Sequence, residues 1–422
     1  MSWDFQTEPD FEEQLDWMRS FTRERILPLE VLDLDDDTAW RIVRDLQVEV
    51  RDRGLWATHL PPELGGQGFG QLKLALMHEI EGMTAWAPVV FGNQAPDSGN
   101  SELIAIAGTP EQKEQWLYPL LDGRLRSSFS MTEPEHAGSD PTVMSTRAVV
   151  DGGDWVLDGH KWFSTNGAIA DVLIVMAITD PDAAPHERAS MFIVPVDTPG
   201  VDIDRDVPTM AGREPLGFGH AEIYYRDCRL PASSLLGERG EGFALAQARL
   251  GPGRIHHCMR WLGQANRALE AMCERSLQRE VRGGPLAQAQ TIQNWIADSA
   301  AEIHAARLMT LHAAWRMDRD GAKAARREIS MIKYFGATVL HNVIDRAIQV
   351  HGALGYSTDM PLEEMYRNAR AARLVDGADE VHRVSVARQT LRGFQAPPGI
   401  YPSEHVPTRR AAAREFYASY LT

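Results

Sequence analysis

The chain has 422 residues, enough for two or three packed units with a substantial buried core. Its formal net charge of -16, without a dense Lys/Arg cluster, excludes binding to nucleic acids or anionic membranes as its main function. Its three cysteines, Cys228, Cys258 and Cys273, are too few and too scattered for a disulfide framework or a zinc site, which is typical of a reducing compartment.

The N-terminal sequence and the longest apolar run both indicate where the protein works. MSWDFQTEPDFEEQLDW (residues 1–17) is acidic and lacks the charged and apolar regions of a signal peptide. The longest apolar run, residues 172–178, is far too short to span a bilayer. We therefore expect a soluble, intracellular protein of the cytoplasm, with no membrane span and no nucleic-acid partner.

Residues 1–127 are predicted to form an N-terminal helical domain. Apolar residues recur at spacings of three and four in residues 39–50 and 72–83, as on one face of a helix. Thr109, Pro110 and Gln112 predict a helix start, because Thr109 and Gln112 can cap each other's backbone while Pro110 takes the first turn.

The pattern changes near Ser128, and residues 128–239 are predicted to form a middle β domain, a small sheet or barrel. Short β-rich runs bounded by turn residues lie at 145–150, 155–157, 172–177, 191–196 and 221–225. From residue 240 to 422 helical periodicity returns in four long blocks, 241–281, 286–320, 322–351 and 377–395, which favours an antiparallel bundle. An amphipathic segment at 407–420 is expected to pack on a neighbouring surface.

Residues 349–382 contain two turns that could face one pocket. In HGALGY, Gly352 and Gly355 allow backbone to come close to a bulky ligand. In LVDGADE, Asp376 stands between an apolar pair and a predicted helix at about 378–392. A carboxylate held there is a candidate general base, since proton abstraction requires positioning and a tuned pKa. The alternative is a helix N-cap, a common role for Asp ahead of a helix.

Two loops of the predicted β domain suit a flat ligand. FSMTEPEHAGSD (129–140) enters as an extended segment, turns through small residues and offers main-chain donors and acceptors. KWFSTNG (161–167) puts an aromatic pair before small hydroxyl residues, which suits stacking on a heterocycle and hydrogen bonding to it. Each loop on its own is equally compatible with an ordinary turn.

Together with the order of the units, these loops resemble the acyl-CoA dehydrogenase family over about residues 10–395. Five stretches carry the resemblance, in the family's order: MTEPEHAGSD (131–140) and KWFSTNG (161–167) resemble its flavin loops, QREVRGGPLAQAQ (278–290) the segment reaching a neighbouring subunit's FAD, QVHGALGY (349–356) the adenine-side loop, and LVDGADE (374–380) the base-bearing turn. LGPGRIHHCMR (250–260) is most similar to the subgroup that includes animal family members ten and eleven.

The resemblance implies a mainly α fold with a middle, β-barrel-like domain and a C-terminal four-helix bundle. It implies an FAD-dependent enzyme that oxidises an acyl-CoA to a trans-2-enoyl-CoA, passes electrons to an electron-transfer flavoprotein, and assembles as a dimer or a dimer of dimers. The FAD-binding residues that it implies are Phe129, Met131, Thr132, Gly138, Phe163, Thr165, Arg279, Gln290, Gln349 and Gly352, with Ser139 beside the pantetheine of the substrate. Arg254 is a further candidate for contact with the substrate. For Arg279 and Arg254 the alternatives are a solvated helix end and a surface helix residue.

Asp376 falls on the family's base position, where the usual residue is Glu. Burial against Leu374, Val375 and the acyl chain is expected to raise its pKa, with Arg254 opposing that by pairing with it or with the substrate. Its backbone N–H is expected to stabilise charge on the thioester oxygen. No metal site is expected, because adjacent His256 and His257 point in different directions on a helix.

Several features depart from the family pattern. The first flavin loop is one residue longer than the common form, Phe163 stands where many relatives carry Trp, and Arg282 stands where an aromatic residue is usual. Asp at the base position also occurs in the subgroup of family members ten and eleven and in the related nitroalkane oxidases. The alternative functions are therefore a flavin oxidase, of the acyl-CoA or nitroalkane type, and a non-catalytic acyl-CoA-binding scaffold. Acyl chain length, branching and hydroxylation do not follow from the sequence.

Overall fold

The structure, a computed structural model, describes residues 7–64, 66–212 and 214–421. The first six residues of the predicted N-terminal domain lie outside the described residues. The N-terminal part of the chain is helical, with α1 (Pro9–Phe21), α2 (Asp36–Asp52), α3 (Gln71–Glu81), α4 (Ala87–Val90), α5 (Asp97–Ala107), α6 (Pro110–Gln112) and α7 (Tyr118–Leu121).

The predicted helix signals are confirmed in this part. In α2 the buried side chains include Ala39, Val43 and Val50, which recur on one face. The capping box forms as predicted: the Gln112 N–H donates to Thr109 Oγ1 over 3.2 Å and the Thr109 N–H donates to Gln112 Oε1 over 3.0 Å.

The described strands of the middle part form one eight-stranded sheet, in the order β6-β7-β3-β2-β4-β5-β8 with β1 beside β4. The strands are β1 (Ser127–Ser130), β2 (Arg147–Asp151), β3 (Asp154–Thr165), β4 (Val172–Ile178), β5 (Ala189–Pro195), β6 (Val201–Asp206), β7 (His220–Leu230) and β8 (Leu235–Leu236). The sequence patterns missed β6 and β8, whereas the extended start predicted for the first flavin loop lies in β1. Exposed, charged β6 has no apolar run to reveal it, and β8 has only two residues.

The C-terminal part is a helical bundle, with α8 (Gly242–Gln278), α9 (Gln290–Asp320), α10 (Arg326–His351), α11 (Ala353–Tyr356), α12 (Leu362–Ala371), α13 (Asp379–Leu391) and α14 (Val406–Phe416); a short hairpin, β9 (Glu280–Val281) and β10 (Gly284–Pro285), joins α8 to α9. Helix α10 packs on α8, α9, α12 and α13, and α3 of the N-terminal part packs on α8 and α9. The predicted mainly α fold with a middle β unit and a helical bundle is confirmed.

Two further findings concern the surface. Helix α14 forms where an amphipathic segment was predicted, but none of its residues is buried, so the expected packing is not made within this chain.

In residues 7–64, 66–212 and 214–421, every helix is too short or too polar to cross a membrane.

Candidate functional site

The two predicted flavin loops are joined side by side. Thr132 Oγ1 donates to the Trp162 carbonyl over 2.8 Å, and the Trp162 N–H donates to the Thr132 carbonyl over 3.1 Å. The Lys161 ammonium donates to the Met131 carbonyl over 2.7 Å. The main chain at Met131 and Thr132 is thus fixed to strand β3, and the two sequence motifs make one surface.

A buried ion pair anchors this surface from behind. Lys161 is fully buried and lies 2.9 Å from Glu133 Oε1, while Glu133 also accepts hydrogen bonds from the N–H groups of Ser145 and Thr146 at 2.6 and 2.8 Å. Burial opposes ionisation of Glu133, but the Lys161 charge and the bonds from Thr146 and Ser145 lower the pKa of Glu133 to about 2. Burial lowers the pKa of Lys161 to about 8, so both groups are charged at neutral pH.

Phe163 and Thr165 end β3 beside the first loop. The Phe163 backbone is left-handed, with φ of 49°, and its ring is 42% exposed, an uncommon state for a large aromatic residue. Thr165 Oγ1 lies 3.0 Å from His220 Nδ1. An exposed ring next to a fixed stretch of main chain fits a planar heterocycle such as the isoalloxazine of FAD.

The remaining predicted residues of the first loop lie around this surface. Phe129 lies in β1 with the Arg249 guanidinium 4.3 Å from its ring centroid. Gly138 and Ser139 are exposed. A Cβ added at Gly138 would lie 3.2 Å from Thr132 Cγ2, a tight contact, so the lack of a side chain lets the Gly138 backbone lie close to Thr132. The surface formed by the two flavin loops therefore has room for the edge of a bound flavin ring.

Asp376 lies in a strained turn between α12 and α13. Its φ is 53°, in the left-handed region, and Gly377 follows at 98°. The N-cap of α13 is Ala378, which makes no side-chain cap bond. The alternative that Asp376 is an N-cap is therefore wrong. The strain is consistent with a functional position, where the rest of the site dictates the backbone.

The expected apolar shield around Asp376 is wrong, because Leu374 and Val375 are 59% and 43% exposed. Cationic and polar groups surround the carboxyl instead. Burial raises its pKa, but His257, Arg254 and the cations beyond them outweigh burial, so the pKa of Asp376 lies below its usual value. The predicted rise in pKa is therefore wrong in direction for the isolated chain.

Arg254 holds the turn and not the carboxylate. Its Nε donates to the main-chain carbonyl of Asp376 over 3.0 Å, and His382 Nε2 lies 3.1 Å from the same oxygen. Among the described residues, the Asp376 N–H makes no hydrogen bond. Because Arg254 and His382 hold the Asp376 carbonyl, the backbone of this turn is fixed. Its unpaired Asp376 N–H can therefore donate a hydrogen bond to a ligand.

The four predicted residues of the pyrophosphate and adenosine end are all exposed on the C-terminal bundle. Arg279 follows α8, Gln290 begins α9, Gln349 lies in the last turn of α10, and Gly352 ends α10 with φ of 64°. None of them lies in a buried cluster of this chain. The exposed position of Arg279 at the end of α8 also agrees with the alternative that it is a solvated residue at a helix end.

The sequence patterns missed four residues of this region. Lys161, Glu133 and His257 stand inside quoted motifs, but only the fold shows that Lys161 is buried or that His257 faces Asp376. Arg249 carried no sequence signal, because its interior position depends on how α8 packs. Among the described residues, no group of His, Cys, Asp and Glu is arranged to hold a metal ion.

Three family models match successive parts of the chain. They are described as the N-terminal, middle and C-terminal domains of acyl-CoA dehydrogenase, and they match residues 8–124, 128–228 and 240–391. Together they cover all of the site described above.

Individual relatives agree with these models. The probable acyl-CoA dehydrogenase FadE2 of Mycobacterium tuberculosis is 48% identical over 362 residues, covering 84% of this chain and 87% of that protein. Acyl-CoA dehydrogenase family member 11 of Homo sapiens is 41% identical over 354 residues, covering 83% of this chain but only 45% of that longer protein. A solved structure from Mycobacterium abscessus, described as an acyl-CoA dehydrogenase, is similar with a TM-score of 0.87 at 41% identity, covering 93% of this chain and 100% of that chain.

Proposed function

The chain belongs to the acyl-CoA dehydrogenase family, whose members are FAD-dependent oxidoreductases acting on acyl-CoA substrates, and we propose that it oxidises an acyl-CoA thioester to a trans-2-enoyl-CoA. The observation that carries this proposal is the Asp376 turn. It presents a carboxylate, kept ionised by nearby cations, and a free main-chain N–H in one strained loop.

In this proposal Asp376 is the base. Its carboxylate takes the α-proton of the acyl-CoA, and the hydride leaves the β-carbon as the α,β double bond forms. FAD, when bound, supplies the hydride acceptor. The Asp376 N–H donates to the thioester oxygen as charge builds there, and one such donor is worth on the order of 3 kcal/mol. Arg254 keeps that N–H in place through the Asp376 carbonyl, and Ser139 would lie beside the pantetheine.

The residues that would hold FAD divide into two groups. Phe129, Met131, Thr132, Gly138, Phe163 and Thr165 would hold the isoalloxazine. Arg279, Gln290, Gln349 and Gly352 would hold the pyrophosphate and adenosine, some of them across a homodimer or a dimer of dimers. An arginine suits a pyrophosphate because its planar fork can bond two oxygens. We also propose an electron-transfer flavoprotein as the electron acceptor.

A flavin oxidase on the same fold is the second candidate, because nitroalkane oxidases also carry Asp at the base position. Oxygen use separates the two. We expect purified protein to be yellow, with about one FAD per chain, and to reduce an artificial acceptor with an acyl-CoA while consuming little oxygen. Oxygen uptake that matches acyl-CoA oxidation would assign an oxidase. A colourless protein that fails to take up added FAD would remove the proposed activity altogether.

Arg279→Ala is expected to weaken both FAD retention and assembly of the oligomer, because we place this exposed side chain on a neighbouring subunit's cofactor. The measurement is flavin content and elution volume after gel filtration at several protein concentrations. Arg44→Ala removes an exposed arginine of α2 and serves as the matched control. Flavin content and elution volume equal to those of the control would leave Arg279 as a solvated helix end.

A further inference from the structure

We propose that His257 is a positioning residue for Asp376: its Nε2–H faces the carboxylate and donates to it in the substrate complex, and Arg260 fixes the tautomer that makes this donation possible. The inference rests on the proposed role of Asp376 as the base. It adds to that role a pair of residues from α8 that set the protonation state and direction of the carboxylate.

The tautomer follows from the contacts of Arg260. Its Nη2 lies 3.0 Å from His257 Nδ1, and a guanidinium can only donate, so Nδ1 must accept. A neutral ring that accepts at Nδ1 carries its hydrogen on Nε2, which lies 3.4 Å from Asp376 Oδ2. That separation is long for a hydrogen bond, and catalytic contacts of this kind tighten in the substrate complex.

His257 stays neutral in this position. Burial, followed by the charge of Arg260, lowers the pKa of His257 to about 4. The neutral ring cannot itself take the α-proton, because Nδ1 is occupied by Arg260 and Nε2 already bears a hydrogen. Its effect must pass through Asp376, whose ionised form accepts a hydrogen bond more strongly than its protonated form does.

Other titratable and charged groups face this pair or the charged groups beside it. They come from α8 (Arg249, Arg254, His256, Cys258 and Arg260), α3 (His78 and Glu81), α10 (Lys333) and α13 (Asp379 and His382). Burial lowers the pKa of His78 well below its usual value and raises the pKa of Glu81 to about 7. Glu81 therefore titrates near neutral pH, and Glu81→Gln removes that ionisation.

The test compares two variants with the wild type. His257→Leu keeps much of the volume but has no donor, whereas the amide nitrogen of His257→Gln can take the place of Nε2. The readout is the rate at which an acyl-CoA reduces the flavin under anaerobic conditions at pH 7, where His257 is neutral and Asp376 is ionised. We expect this rate to fall by about 10-fold in His257→Leu and to stay close to the wild-type rate in His257→Gln, because only the Gln variant keeps a donor for the carboxylate. The same comparison in a Glu81→Gln background removes the Glu81 ionisation as a cause of the difference.

Each outcome decides the role of His257. Equal rates in the wild type and both variants, or an equal loss of rate in both variants, overturn the inference. If His257→Leu does not fold, His257→Phe fills the ring volume without polar atoms and takes its place. Asp376→Asn distinguishes failure of the proposed base from failure of the proposed role of His257. Wild-type flavin reduction by Asp376→Asn overturns the base, whereas an inactive Asp376→Asn with wild-type rates in both His257 variants overturns only the role of His257.

Discussion

Asp376→Asn is expected to keep its fold and its FAD but to reduce its flavin with an acyl-CoA at least about 100-fold more slowly than the wild type, the lower end of what a positioned base contributes. The amide has the shape of the carboxylate but cannot take the α-proton. The backbone should tolerate the change, because Asn is one of the few residues other than Gly that adopt a left-handed φ readily. Rapid anaerobic mixing with a substrate that bleaches the wild type measures the rate.

Two further variants serve as controls for the measured rate of flavin reduction. Asp345→Asn makes the same chemical change at an exposed residue of α10 and should leave flavin reduction at the wild-type rate. Asp376→Glu keeps the carboxylate but adds roughly 1.5 Å of reach, so its rate should fall between those of Asp376→Asn and the wild type. If Asp376→Asn bleaches as fast as the wild type, another group takes the proton.

Lys161→Met is expected to lower the free energy of unfolding by about 3–5 kcal/mol, the usual loss when one partner of a buried ion pair is removed. Glu133 would keep its charge in the interior, and the Met131 carbonyl would lose its donor. FAD affinity should fall as well, because that carbonyl belongs to the main chain we place on the flavin. Denaturant unfolding and flavin content measure the two effects.

The double variant Glu133→Gln with Lys161→Met provides the matched control. Removing both charges should lower the free energy of unfolding less than leaving Glu133 charged and unpaired in the interior. The pH dependence gives a second check. Because the pKa of Glu133 is lowered to about 2 from an ordinary 4.5, its contribution to stability is complete above pH 4.5 and lost as pH falls toward 2. A Lys161→Met variant with wild-type unfolding and flavin content would show that the pair does not anchor the loop.

The sequence predicted the order of helical and sheet parts well, because long periodic runs and capping residues are local signals. The capping box at Thr109 and the buried face of α2 required only neighbouring residues. Strand β6 escaped prediction because it is exposed and charged, so its β structure comes from pairing with β7.

The environment of Asp376 could not be predicted from its neighbours in sequence. Leu374 and Val375 suggested an apolar pocket, but both face outward, and the groups that lower the Asp376 pKa come mainly from α8. Arg254 reaches the Asp376 carbonyl across 122 residues of chain. A family motif gives the position of a base, whereas its pKa depends on distant parts of the fold.

The central claim is that this chain dehydrogenates an acyl-CoA, and anaerobic titration of the FAD-loaded protein with a panel of acyl-CoAs tests it most directly. The account predicts that at least one member of the panel bleaches the flavin band, with one trans-2-enoyl-CoA formed per flavin reduced. A fully loaded protein whose flavin stays oxidised with acyl-CoAs of every chain length, branching and hydroxylation in the panel would contradict it.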